Sequence, residues 1–162
     1  MGVESYKHQF AKNVLATWFR DKCKDVGNVW VSLQPACWRV NRDGPHYGVW
    51  VEYPVCLDKQ NQLIGTCPVW DEHDPEFELA PPSYQRCIDL GYLPIAIFDV
   101  AIQHKGNIIY AFEVVHKNRV SPLKLDYIER VRQYQHLEVF EIDADWILSR
   151  VGPPDALICE YV

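Results

Sequence analysis

Two apolar, β-branched runs stand near the middle of the chain, residues 95–102 (IAIFDVAI) and 108–116 (IIYAFEVVH), and each carries one acid at its centre, Asp99 and Glu113. Runs of this kind read as strands that are mostly buried. The polar stretch Gln103-His104-Lys105-Gly106-Asn107 between them reads as a turn, so the pair predicts a β-hairpin. A carboxylate inside a buried strand costs several kcal/mol unless it is paired or bound to a cation. Whether the two acids can meet depends on register. With a three-residue loop, Lys105-Gly106-Asn107, His104 stands opposite Ile108, and the same register sets Asp99 opposite Glu113 on one face. A two-residue loop would turn Glu113 to the other face. The pattern therefore predicts an odd-length loop with Gly106 in a left-handed conformation. Two facing carboxylates repel each other and suggest a divalent cation between them, and a hard oxygen site suits Mg²⁺ or Mn²⁺. The plainer alternative is that Asp99 pairs with an arginine or caps a loop while Glu113 sits at an exposed sheet end.

The rest of the chain supplies elements to pack around this hairpin. In residues 5–22, Phe10, Val14, Leu15, Trp18 and Phe19 recur at three- and four-residue steps. That predicts a helix capped by Ser5, with Glu4, His8 and Lys12 sharing a face at its start. β-prone runs follow at 29–33 and 47–57, the second holding Glu52 before Pro54, where an acid is either a metal carboxylate, a carboxylate supporting a metal site from behind its ligands, or the polar step before an edge-strand proline. Residues 58–82 are polar and proline-containing and read as an excursion from the core, with a short hairpin around 63–70. A short helix over 83–90 ends at Gly91. Ser121-Pro122 opens a further helix through Leu125, Ile128 and Val131; a strand over 136–142 and a short capped helix over 143–148 complete the order. Helix, strand, hairpin, helix, strand predicts an α/β fold, a mixed sheet flanked by helices. The 162 residues fit a single domain over 1–162, long enough to bury ~70% of its extended-chain surface.

Composition narrows the function classes. With 16 Lys and Arg against 22 Asp and Glu, the net charge is −6, which argues mildly against a nucleic-acid binder. The charge is uneven, however. Residues 71–78 (DEHDPEFE) hold five acids and no Lys or Arg, and His73 there belongs with an acidic loop more readily than with a metal. Residues 117–132 carry Lys117, Arg119, Lys124, Arg130 and Arg132 against Asp126 and Glu129. That is either a basic stripe or a solvated helix face. The six cysteines show no C-x-x-C spacing, which leaves a zinc site weakly supported. With no export signal visible, they read as reduced thiols of an intracellular protein. No apolar run approaches the ~18 residues of a membrane span. Trp38 and Trp50 either pack in the core or stack on bases.

In Phe98-Asp99-Val100, the short hairpin, and Glu113-Val114-Val115-His116-Lys117 before a helix, the chain resembles the PD-(D/E)XK nuclease superfamily. Glu4-Ser5 with His8, Lys12 and Trp18, followed by a strand ending in Glu52-Tyr53-Pro54, is similar to the competence-type CoiA-like branch. The likeness covers residues 4–148 apart from 58–82. One departure stands out: the superfamily places a lysine two residues after the Glu, and here that position is Val115. Lys117 is the nearest replacement, ~7 Å further along the strand; His8 or Lys12 could supply the positive group instead. The resemblance implies a restriction-endonuclease-like α-β-β-β-α-β core and an endonuclease that hydrolyses phosphodiesters with Mg²⁺ or Mn²⁺. By the same resemblance Asp99, Glu113, the Val114 carbonyl and Glu4 hold the metal. Lys117 then orients water or stabilises charge, and Lys12, Arg119, Lys124, Arg130 and Arg132 contact phosphates. The implied partner is nucleic acid, DNA before RNA, with a homodimer as the arrangement many nucleases of this fold adopt. The alternative is a catalytically inactive relative that binds nucleic acid or a protein, and Val115 is the residue that raises it.

Overall fold

The computed structural model describes residues 5–21, 25–26, 29–30, 47–60, 63–64, 84–89, 91–104, 107–116, 119–133, 137–154 and 156–162. Glu4, Gly106, Lys117, Trp38, His73 and most of the expected excursion lie outside the described residues. Helix α1 (Tyr6–Asp21) opens at Ser5, whose Oγ accepts from the His8 backbone N–H at 3.1 Å. It buries Ala11, Leu15, Ala16, Trp18 and Phe19, the apolar stripe of an amphipathic helix. Strands β1 (Asp25–Val26) and β2 (Val29–Trp30) are short, and β3 (Tyr47–Leu57) is long. Then come β4 (Leu63–Ile64), α2 (Tyr84–Asp89), β5 (Leu93–His104), β6 (Asn107–Val115), α3 (Pro122–Arg132), β7 (Glu138–Asp143), α4 (Ala144–Leu148), β8 (Ala156–Leu157) and β9 (Glu160–Tyr161).

The main sheet has six strands in the order β4-β3-β5-β6-β7-β9, and a smaller sheet joins β2, β1 and β8. Within the main sheet β6 and β7 run parallel and the other neighbours antiparallel. A parallel pair needs a crossover, and α3 supplies it. The protein is thus a mixed α/β sheet with helices, as the order of elements predicts. Its two faces bury separate cores. Ala11, Leu15 and Phe19 of α1 pack with Val100, Phe112 and Phe140. Ile128 and Val131 of α3 pack on the opposite side with Phe98, Ala111 and Val139. Phe112 anchors the α1 side, its ring 4.6 Å from Phe19 and 5.4 Å from Phe140. Trp50 is buried at 3% exposure, so it packs and offers no base a stacking surface.

The hairpin differs from expectation in its loop and agrees in its register. His104 pairs with Asn107, so the connection is two residues long, yet Val100 pairs with Phe112. A bulge between Ile102 and Gln103 absorbs the difference. One extra residue on β6 shifts the side-chain phase back and restores the level at which Asp99 and Glu113 correspond.

A second irregularity lies at the same level. Phe98 belongs to the α3-side core and Val100 to the α1-side core, although residues two apart in a regular strand share a face. On β3, Tyr53 and Val51 divide in the same way. The switch falls at Asp99 on one strand and at Glu52 on the other, and Glu52 has φ 57°, a left-handed conformation that a glutamate adopts only when its surroundings impose it.

Candidate active site

The ladder between β5 and β6 runs as far as Val100 and Phe112. Asp99 and Glu113 are the next residues, where the two strands part. In that fork the Asp99 carboxylate takes the place of a backbone partner: its Oδ2 accepts from the Val114 N–H at 2.8 Å. The Val114 carbonyl accepts from His8 Nε2 at 2.6 Å, so that nitrogen carries a proton. The same Nε2 lies 3.3 Å from Asp99 Oδ2. One turn further along α1, Lys12 Nζ lies 3.1 Å from Asp99 Oδ1 and 3.3 Å from Glu52 Oε1. His8 and Lys12 reach one spot because residues four apart share a helix face.

Glu113 is served from the other face of the sheet. Lys124 Nζ lies 3.0 Å from Glu113 Oε1, 5.2 Å from the Phe98 ring centroid, and donates to the Ile97 carbonyl. The local sequence sets this up. Ser121 Oγ accepts from the Lys124 N–H at 3.2 Å, and Pro122 occupies the first helical turn. The cap therefore fixes Lys124 in the turn that overhangs the strand fork.

These acids belong to a longer row. Glu113 pairs with Glu141 and Glu141 with Glu160. Glu52 falls between the ladder pairs Val51–Val100 and Tyr53–Phe98, level with Asp99. Glu52, Asp99, Glu113, Glu141 and Glu160 thus cross five adjacent strands at one height. The cations alternate with them: Lys12, His8, Lys124, and then Arg119, 2.8 Å from Glu160 and 3.6 Å from Glu141.

The two central carboxyls are displaced in opposite directions. Burial pushes Asp99 upward, but the His8 hydrogen bond and the Lys12 charge outweigh it and hold Asp99 at about 2. Burial and then the Asp99 charge push Glu113 up to about 8, against the pull of Lys124. Without a metal, burial and the Asp99 charge favour the protonated form of Glu113 even with the Lys124 ammonium beside it, the direction expected for facing acids. The Asp99 hydrogen bond raises His8, with burial acting the other way.

A cavity of about 410 Å³ opens onto this point, lined by His8, Asp99, Glu113, His116, Arg119 and Lys124 among others. Lys124, expected among the phosphate contacts, is the lysine beside Glu113, while Lys117 and Glu4 lie outside the described residues. Lys12, also expected at phosphates, is 5% exposed and bound to carboxylates. His116, whose strand position points away from Glu113, instead faces the same cavity, because β6 ends at Val115 and strand alternation ends with it. Arg119 lines the cavity but is engaged with Glu160. Arg130 is exposed near the end of α3. Arg132 braces the C-terminal strand, donating to the Leu137 carbonyl at 3.1 Å and the Val162 carbonyl at 2.9 Å. A basic residue just inside the helix that follows the Glu strand was the signal that could have placed Lys124 here.

Among the described residues, no group of three or more His, Cys, Asp or Glu side chains forms a metal-binding cluster. The oxygens gathered at the fork are the Asp99 and Glu113 carboxylates and the Val114 carbonyl, a hard donor set that fits Mg²⁺ or Mn²⁺ with water completing the shell. The raised Glu113 fits as well, since a buried acid pair that cannot ionise fully alone is relieved by a divalent cation. No family model, no curated protein and no solved structure matches the chain. Among the described residues no helix is long and apolar enough to cross a membrane.

Proposed function

We propose that the chain is a metal-dependent phosphodiesterase acting on nucleic acid, an endonuclease of PD-(D/E)XK type, with Lys124 in the role first assigned to Lys117. The observation that carries this reading is the convergence of Asp99, Glu113 and Lys124 at the mouth of a polar cavity. Asp99, Glu113 and the Val114 carbonyl would hold Mg²⁺. Bound there, the ion supplies Lewis acidity to the scissile phosphate and acidifies a bound water. The chain's own residues do the rest. His8 and Lys12 keep Asp99 ionised, so it is ready as a ligand. The Lys124 ammonium, aimed by a capped helix, stabilises negative charge that develops on the phosphate. Arg119 at the cavity rim and Arg130 further along α3 position the strand without reading its sequence.

An inactive binding protein on the same fold is the second reading. It is favoured by one observation: each carboxylate already has a cationic side chain beside it, Lys12 and His8 at Asp99 and Lys124 at Glu113.

Labelled single-stranded and duplex DNA and RNA, incubated with the protein and Mg²⁺ or Mn²⁺, separate the two. Cleavage is expected for the wild type, with losses of ~10²-fold or more in Asp99→Asn, Glu113→Gln and Lys124→Met and a smaller loss in Lys117→Met. Cleavage undiminished in the Asp99 and Glu113 variants would refute the assignment. Binding by all of them with cleavage by none would establish the second reading.

A further inference from the structure

A buried ammonium stands between Glu52 and Asp99. Lys12 is 5% exposed, and its Nζ bridges Asp99 Oδ1 at 3.1 Å and Glu52 Oε1 at 3.3 Å. Asp99 thereby divides its two oxygens. Oδ2 faces Val114 and His8, on the side of Glu113; Oδ1 faces Lys12 and β3. In two-metal hydrolases a carboxylate between the ions uses both oxygens, with the metals ~3.5–4 Å apart. Here the place for a second ion, between Asp99 Oδ1 and the level-matched Glu52, is filled by a side chain rooted in the packed face of α1.

From this we infer that Lys12 is a fixed cation standing where a second divalent ion would bind, so that the site takes one metal, and that Glu52 is a positioning residue for Lys12 and no metal ligand. The inference rests on the active-site reading above. A second ion would have to expel from its carboxylates an ammonium that is itself buried, or sit beside it as a like charge, and either is costly even though Glu52 faces solvent. The geometry of Glu52 accords with such a role. Its φ of 57° is a backbone strain inside β3, and the carboxylate it carries accepts from Lys12. Lysine suits the task because its ammonium is a compact point charge.

The test counts ions. Mn²⁺ is titrated into the full chain at neutral pH, with free ion read by electron paramagnetic resonance and nucleic-acid cleavage measured in parallel. The wild type is expected to bind one ion. Lys12→Met, which frees Asp99 Oδ1 and Glu52 as ligands, is expected to bind two, and Lys12→Arg one. Glu52→Gln is expected to bind one ion with affinity within ~3-fold of wild type, about 0.7 kcal/mol; it keeps the test open should Lys12→Met not fold. Two ions on the wild type, a single ion on folded Lys12→Met, or a 10-fold or greater loss of affinity in Glu52→Gln, ~1.4 kcal/mol, would each overturn the inference while leaving metal-dependent cleavage intact. A wild type that binds no ion and cleaves nothing would instead overturn the active-site reading on which it rests.

Discussion

Glu113 sets the terms at the scale of single residues, because burial and the Asp99 charge favour its protonated form over the pull of Lys124. Its folded value of about 8 lies above the ordinary 4.5. Between those values the unfolded chain releases the proton and the folded chain keeps it, so native stability falls as pH rises through that window and levels off beyond it. Asp99 works in the opposite sense: held at about 2 against an ordinary 3.8, it contributes stability above that window which is lost as pH falls through it. Glu113→Gln should therefore melt higher than wild type in metal-free buffer on the alkaline side of the window, by ~2–4 °C for each kcal/mol relieved. Mg²⁺ should raise the wild-type melting temperature and leave Glu113→Gln nearly unmoved. Thermal melts with and without Mg²⁺ check both; a Glu113→Gln variant no more stable than wild type at alkaline pH would contradict the buried-acid account. The Asp99–Glu113 pairing was legible in the sequence because an acid in an apolar strand is anomalous on its face. Lys124 was legible only as a basic residue in the first turn of the helix after the Glu strand; its approach to Glu113 depends on where that crossover helix lands.

Elements carry the precision of the site. The first turn of α3 holds Lys124 through the Ser121 cap, and Ser121→Ala should cost ~1 kcal/mol of stability. Its effect on cleavage should exceed what that loss explains, since the frayed turn bears Lys124; equal activity per folded molecule would show that the cap does not aim the lysine. On the opposite face, Phe112 joins α1 to the sheet between Phe19 and Phe140. Phe112→Ala should cost ~3–5 kcal/mol, read by denaturant unfolding, because the surrounding rings cannot close the cavity. Periodicity marked α1, β3, the hairpin strands and α3 well, and Ser121, Pro122 and Asp143 act as helix starters as their types suggest. The hairpin loop is one residue shorter than its polar stretch suggests. A bulge leaves no compositional trace in an evenly apolar strand, and here it cancels that difference at the site. The left-handed Glu52 had no signal at all, since glutamate disfavours that conformation and only the sheet around it imposes it.

Across the whole molecule, an excess of acid would limit how the proposed nuclease holds nucleic acid. The net charge is −6, and several cations near the site are engaged by the acid row. Binding through Lys124, Arg119 and Arg130 should give a shallow salt dependence, a slope of about −2 to −3 in log affinity against log salt. Fluorescence anisotropy with Asp99→Asn on duplex DNA measures it, and a slope steeper than about −5 would place the main contacts elsewhere. The most direct test of the central claim is a Mn²⁺-soaked crystal, with the ion located by its anomalous signal. The account predicts a peak bound by Asp99, Glu113 and the Val114 carbonyl, with Lys12 still between Asp99 and Glu52. A crystal saturated with Mn²⁺ that shows no peak there, or shows it on residues away from the strand fork, would contradict it.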